Sequence, residues 1–397
     1  MRLNALLWLL AIAAGASVAN LYYSQPLLAM LSQEFGVDAH RAGLIPTFTQ
    51  VGYASGMLLL IPLGDSVERR KLITLLSSAA TVAVFAVALA PSFSLLLVAS
   101  FALGLCTAVP QLVVPYAAAL APAAERGRSV GKVMSGLLVG ILLSRTASGF
   151  LGAHFGWRAV YLIAAAVLVG LTVLLRLTLP RQEPEGSVRY LDLLRSLPGL
   201  VRREPLLRRH ALLGALAFAA FSAFWTTLVF LLSGPPHHLG ARAAGLFGLV
   251  GVVGAIIAPV AGRIADRVGS RVVNGSALVC VLASWIIFAL FWRSLFALGL
   301  GVVLLDLGVQ ASHISNQTRV LGLSAPMRNR LNTVYMVSYF VGGAAGSLIG
   351  SAAFGAAGWT GTATAGISLS LAALAAFFLV EREASVHADA GVRVLQA

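Results

Sequence analysis

The chain has 397 residues, 59% of them hydrophobic and 11% charged, with 28 Lys and Arg against 14 Asp and Glu; its mean hydropathy is +0.90. A soluble globular domain carries about a quarter charged residues, so this composition excludes one and leaves a net charge of +14 to be explained. Apolar runs of about 20 residues recur from end to end, each long enough to cross a bilayer as a helix. The runs are continuous rather than alternating, which selects helices over a closed barrel.

In chain order, the first run, 5–30, follows Arg2 and contains "ASVAN", like a secretory leader. The spans that follow argue for a retained first helix. They are expected at 42–63, 72–90, 93–117, 130–152, 158–179, 210–233, 242–262, 272–291, 294–319, 331–356 and 359–380, which makes an all-α membrane protein of twelve helices. Arg41, Arg158, Arg242 and Arg293 fall on one side of these spans, Arg145 falls inside one, and every other Lys and Arg falls on the opposite side. That bias puts both termini in the cytoplasm. The basic charge is therefore topological, and no nucleic-acid partner is expected. Cys106 and Cys280 lie in apolar spans and read as small buried hydrophobes. Neither a disulfide framework nor a metal site is indicated.

The two halves repeat each other. Arg41 and Asp65 correspond to Arg242 and Asp266, and Gly156-Trp157 recurs as Gly358-Trp359. Gly136, Gly140, Ser144, Ser148 and Gly152 place a small residue at every fourth position of the fifth span; Ser338, Gly342, Gly346 and Gly350 do so in the eleventh. Such stripes let helices approach closely in lipid, and packing is their plainer reading. The charged, proline-broken segment "PRQEPEGSVRYLDLLRSLPGLVRREPLLRR" lies between the halves, with a short amphipathic helix expected around Tyr190–Leu197. The domains read as 1–180 and 210–383, each a six-helix bundle, joined by a cytoplasmic linker at 181–209 and followed by a tail at 384–397. Two bundles joined this way suit alternating access around a central site.

The stretch "GRIADRVGSR", Gly262 to Arg271, resembles the major facilitator superfamily signature G-x-L-A-D-R-x-G-R-[RK]. Gly262, Asp266, Arg267, Gly269 and Arg271 match it. The first-half copy, "IPLGDSVERRK", keeps Asp65, Arg69 and Arg70 but departs from the pattern at Ile61, Ser66 and Glu68. The resemblance implies a cytoplasmic latch, or gating motif, at both places. Within the superfamily, "ANLYYSQPLL", "LLDLGVQASHISNQ" and "RLNTVYMVSYFVGG" look like the bacterial arabinose-efflux-permease-like branch, near the twelve-span drug:proton antiporters. A plainer reading of the loop is topology-setting charge.

Of the carboxylates, only Asp306 lies inside a span, about 18 Å deep at 1.5 Å per residue. An intramembrane ionisable group is a functional candidate by default. Asp306, Gln310, His313 and Gln317 form one polar stripe along a single helix face. Asp306 reads as the proton carrier, with substrate contact and a structural ion pair as alternatives; His313 is a second proton candidate or a packing histidine. Arg145 is the other exception. It stands where the resemblance implies a proline in G-x-x-x-G-P-x-x-G-G. It can snorkel, anchor a contact between the bundles, or hold an anionic substrate. The resemblance also implies a fourth-helix arginine, and Ser100 stands near its place. It further implies that the first, fourth, seventh and tenth helices line a cavity. Tyr23, Gln25, Gln50, Tyr53, Gln111, Trp225, Asn332 and Tyr335 are its other expected liners; each aromatic among them also fits packing or an interfacial belt.

The sequence contains no P-loop, nucleophile–base set or metal cluster, so an enzyme is not expected and no cofactor is required. The expected function is proton-coupled efflux of a drug-like amphipathic compound or a sugar across the bacterial inner membrane. A proton-independent uniporter or importer is the alternative, and a non-transporting receptor ranks below both. The expected partners are a small-molecule substrate, protons and membrane lipids, with the chain a monomer.

Overall fold

A computed structural model describes residues 3–122, 125–182, 190–251, 269–324 and 327–395, with side chains through residue 379 except at residue 65. All of its regular elements are helices: α1 (Leu3–Ala19), α2 (Leu28–Phe35), α3 (Ala39–Ala42), α4 (Leu44–Leu59), α5 (Arg69–Ala88), α6 (Phe93–Cys106), α7 (Val109–Leu120), α8 (Arg126–Phe155), α9 (Trp157–Thr178), α10 (Tyr190–Arg203), α11 (Pro205–Ser233), α12 (Ala241–Gly251), α13 (Ser270–Phe291), α14 (Leu295–Gly322) and α15 (Arg328–Leu395), with short 3-10 turns at Gln25–Leu27 and Ile61–Asp65. Among the described residues, nine helices are long and apolar enough to cross a membrane. One of them, Arg328–Leu379, runs through both the eleventh and twelfth expected spans, while Leu3–Ala19 and Ala241–Gly251 are shorter apolar helices.

Two expected spans are broken, each at a proline. The first does not run through to residue 30, because α1 ends at Ala19 and turns occupy the residues before Gln25. Pro26 opens the 3-10 turn; its ring excludes the helical bond to the fourth residue back. The fourth span divides between α6 and α7, with Pro110 in the first turn of α7 and Pro115 inside it. Irregular backbone at membrane depth is tolerated where it lines a cavity or is covered by protein, and both breaks lie beside the cavity described below. The Gly-Trp repeat has a backbone cause: Gly156 (φ 81°) and Gly358 (φ 58°) turn the chain between consecutive spans in conformations that favour glycine.

The small-residue stripes are packing surfaces. A Cβ built on Gly140 would fall 2.3 Å from the Gly15 carbonyl oxygen of α1, and one on Gly346 would fall 2.0 Å from that of Ala219 in α11. The same spacing thus serves α1 against α8 and α11 against α15, as the sequence repeat requires.

The two halves meet at the end opposite the arginine-rich connections. Thr146 Oγ1 donates to the Gly245 carbonyl (2.9 Å), joining α8 to α12. Gln50 Nε2 donates to Ser347 Oγ (3.1 Å), joining α4 to α15. Gly149 packs against Ala241 and Gly245, and the Arg242 guanidinium lies over Phe150 (5.0 Å). At this same end Trp157 Nε1 and an Arg158 amino group both donate to the carboxylate of Glu34 on α2, outside the spans. The bond from Arg158 holds the Glu34 carboxyl below its usual range. Its contribution is therefore fully present above the unfolded carboxylate value and is lost as the pH falls through the lowered one. Glu34 is well exposed, so Glu34→Gln is expected to lower stability at pH 7 by no more than about 1 kcal/mol and to flatten the acid limb of a thermal-inactivation profile.

The linker helix α10 is longer than expected and continues past Pro198. Leu193, Leu197 and Leu200 recur at helical spacing and are buried, which offsets the backbone bond lost at the proline. Tyr190 anchors its start by donating to the Leu59 carbonyl (2.8 Å).

Candidate functional site

A cavity of about 770 Å³ lies between the two halves. It runs from Arg69, Arg328 and Arg330 at the basic end to Tyr22, Arg145 and Asp306 at its depth, with Leu193 and Leu197 of α10 at its mouth. The end beyond Arg145 is closed by the α4–α15 and α8–α12 contacts.

Arg145 occupies the deep end because of its neighbours on three elements. Its side chain is 1% exposed. Nε donates to Gln25 Oε1 (2.7 Å), and the guanidinium lies over the rings of Trp225 (4.2 Å), Tyr22 (4.6 Å) and Phe221 (5.4 Å). Aromatic faces attract a cation most strongly where water is excluded, so this cage is what makes the buried position tolerable. Snorkelling is ruled out by the burial. The cage depends on the break after α1, which brings both Tyr22 and Gln25 to the arginine.

Asp306 is 3% exposed and lines the same depth. Each charge acts on the other electrostatically, yet the only ion pairs within 4.0 Å among the described residues are Lys71–Glu68 and Arg158–Glu34. The structural ion pair considered for Asp306 is thus not made with Arg145. Asp306 Oδ2 and Arg145 Nη2 are both buried without a hydrogen-bond partner. Helix α12 passes both charges on a glycine face that its spacing displays, "GLFGLVG". A Cβ on Gly248 would meet the Arg145 Cβ at 3.0 Å, and one on Gly251 would meet the Asp306 carboxyl at 3.3 Å.

The rest of the tenth-span stripe lines the cavity too. Gln317 Nε2 donates to Asn332 Oδ1 (2.9 Å). The Tyr335 hydroxyl donates to the His313 carbonyl (3.2 Å) and so accepts from His313 Nδ1 (3.0 Å). Gln310, Asn332, Tyr53 and Gln111 also line it, and Gln111 Nε2 donates to the Tyr53 hydroxyl (3.4 Å).

Five expected liners stand elsewhere. Tyr23 packs edge-on against Tyr161 in the first-half core (6.3 Å). Gln25 and Trp225 stand behind Arg145 as its supports. Gln50 bridges the halves, and Tyr335 is fully buried behind His313. Of the gating-motif residues, Arg69 reaches the cavity mouth and Arg70 Nη2 donates to the Arg176 carbonyl at the end of α9 (2.6 Å). Asp65 closes the Ile61–Asp65 turn. Gly269 (φ 89°) turns the chain into α13, which carries Arg271 in its first turn. Gly262, Asp266 and Arg267 lie outside the described residues.

Sequence reasoning missed two groups. The first is the aromatic wall of Phe218, Phe221, Tyr339 and Phe340, where Phe218 stacks on Tyr339 (4.1 Å) and Phe221 (5.5 Å). Phe218, Phe221 and Trp225 recur at helical spacing, so the signal was present. The second is a closed ring beside the cavity: Asn274 Nδ2 donates to Asn316 Oδ1 (2.9 Å), Asn316 Nδ2 to Ser312 Oγ (3.1 Å), and Ser312 Oγ to Asn274 Oδ1 (2.7 Å). His210 Nδ1 adds a bond to Asn316 Oδ1 (2.7 Å). Asn316→Leu leaves Asn274 short of a partner in a buried site, so an unfolding cost of about 1–3 kcal/mol is expected. Thermal inactivation of the purified protein measures it.

Comparison with known proteins agrees with this architecture. The Major Facilitator Superfamily profile matches residues 7–326. The putative uncharacterized transporter YgaY of Escherichia coli is 41% identical over 367 residues, covering 92% of this chain and 93% of that protein. A probable transporter of Streptomyces coelicolor is 38% identical over 358 residues, covering 89% and 82%. Among solved structures, a bacterial homolog of the human lysosomal transporter Spinster, inward-facing and occupied, superposes with a TM-score of 0.77 at 16% identity, over 96% of this chain and 97% of that one. The nucleoside transporter NupG superposes with a TM-score of 0.75 at 15% identity, over 95% and 99%. At these identities the two structures speak for the fold alone. By its profile and its close sequence relatives, the chain belongs to the major facilitator superfamily, a family of multi-pass membrane transporters of small molecules rather than enzymes.

Proposed function

We propose that the protein is a secondary transporter of the bacterial inner membrane that exports a small solute in exchange for protons. Residues 1–180 and 210–383 act as two bundles that rock about the cavity, linked by 181–209 and followed by the cytoplasmic tail 384–397. The arginine-rich end faces the cytoplasm, in keeping with the positive-inside rule; its basic residues meet lipid headgroups. On this reading the described state is open to the cytoplasm. The chain works as a monomer.

The observation that carries the proposal is Asp306, a buried carboxyl with an unpartnered oxygen at the closed end of a cavity between the halves. A carboxylate that can be compensated either by a proton or by a bound solute couples the two, because only one occupies it at a time. Arg145, Tyr22 and Tyr339 are the groups within electrostatic reach of it, and His313 shares its helix face. His313 serves as a second station for the proton.

The test uses purified full-length protein in liposomes with an internal pH dye. Addition of a transported solute is expected to move protons in the opposite direction. Transport that proceeds at an equal rate with and without a pH gradient, and moves no protons, would make the protein a uniporter.

A further inference from the structure

The two buried charges define the chemistry of the solute. Arg145 Nη2 and Asp306 Oδ2 each lack a partner, both residues line one cavity, and they do not pair with each other. Gln25 at Nε and the rings of Tyr22 and Trp225 hold the guanidinium where it stands, so it is not available to swing onto the carboxylate. A solute bearing one charge would satisfy one of these residues and leave the other buried and uncompensated, which binding sites penalise. A solute bearing both charges satisfies both. The wall beside them is aromatic, with Phe218, Phe221 and Tyr339 facing the same space.

We infer that the solute is a zwitterion with an apolar body, of the amino-acid or short-peptide type, whose carboxylate is taken by Arg145 and whose ammonium is taken by Asp306. The cavity of about 770 Å³ leaves room for a body larger than a single side chain. This rests on the cavity being the transport site. It also makes the proton and the ammonium group competitors at Asp306: each neutralises the same carboxylate.

Equilibrium binding to the purified full-length protein tests it without requiring transport. The probes are L-phenylalanine and L-leucyl-L-phenylalanine as zwitterions, 3-phenylpropionate with the carboxylate alone, and 2-phenylethylamine with the ammonium alone. At least one zwitterion is expected to bind roughly tenfold or more tighter than either single-charge compound, the worth of one charge-assisted hydrogen bond. Arg145→Gln is expected to erase the advantage over the amine, and Asp306→Asn the advantage over the acid. A single-charge compound that binds as tightly as the zwitterions, or no binding by either zwitterion, overturns the inference. The probe series on the unchanged protein discriminates these outcomes even if a variant fails to fold. Zwitterion binding without proton movement in liposomes would support the inference and defeat proton coupling. Proton movement driven by the amine alone, with no zwitterion bound, would do the reverse.

Discussion

Asp306→Asn is expected to convert a concentrating transporter into one that only equilibrates its solute. A pH gradient of one unit stores about 1.4 kcal/mol per proton, enough to sustain about tenfold accumulation for each proton exchanged. In liposomes carrying such a gradient, the unchanged protein should reach that ratio and the variant should stop at one. The side chain of Asn is close in size to that of Asp and keeps hydrogen-bonding capacity, so the packing of α12 at Gly251, where a Cβ would lie 3.3 Å from the Asp306 carboxyl, is preserved. Solute exchange down its own gradient therefore persists. If Asp306→Asn still accumulates solute against its gradient, the coupling proton is carried elsewhere, and His313 becomes the residue to test.

Gly149→Leu is expected to shift the protein away from the described state. A Cβ at Gly149 would fall 2.5 Å from the Ala241 carbonyl oxygen and 2.8 Å from the Gly245 Cα, where α8 and α12 close the end opposite the basic connections. Overpacking of this kind costs about 1–3 kcal/mol, and it is charged only to the state in which these helices touch. The closed-outside population should fall by about 5- to 150-fold relative to the open one. Spin labels on cysteines introduced at Gln33 and His238, which flank a small pocket across the closed end, report the change as a longer distance. Cys106 and Cys280 are replaced first. Gly149→Ala adds the Cβ alone and should shift the distance less. An unchanged distance in a folded Gly149→Leu protein would mean that this contact does not gate the cavity.

Much of the fold was legible because lipid makes it so. Each span must carry its own apolar run, and the repeat of Arg41-Asp65 and Gly156-Trp157 reported two related halves. The Asp306 stripe was equally legible, since one helix's periodicity suffices to align Asp306, Gln310, His313 and Gln317. The choice between adjacent tyrosines was not. Tyr23 was expected in the cavity, yet Tyr22 lines it, because the chain leaves the helix at Asn20 and helical spacing no longer says which side chain points inward. Gln50 illustrates a second limit. Its partners Ser347 and Ser222 lie in the other half, so nothing near it in the chain distinguishes a bridge from a cavity liner.

The sequence by itself determined the membrane class, the helical content, the family signature and the two misfit charges, because composition and period are local properties of the chain. Only the tertiary structure decided how those charges are held. The cage around Arg145 draws on the turn after α1 and on α11, while the approach to Asp306 depends on the glycine face of α12. Bringing Arg145 and Asp306 to one cavity while keeping them from pairing is a matter of helix crossing and backbone breaks. Those follow from how distant segments pack, which spacing along a single helix does not encode.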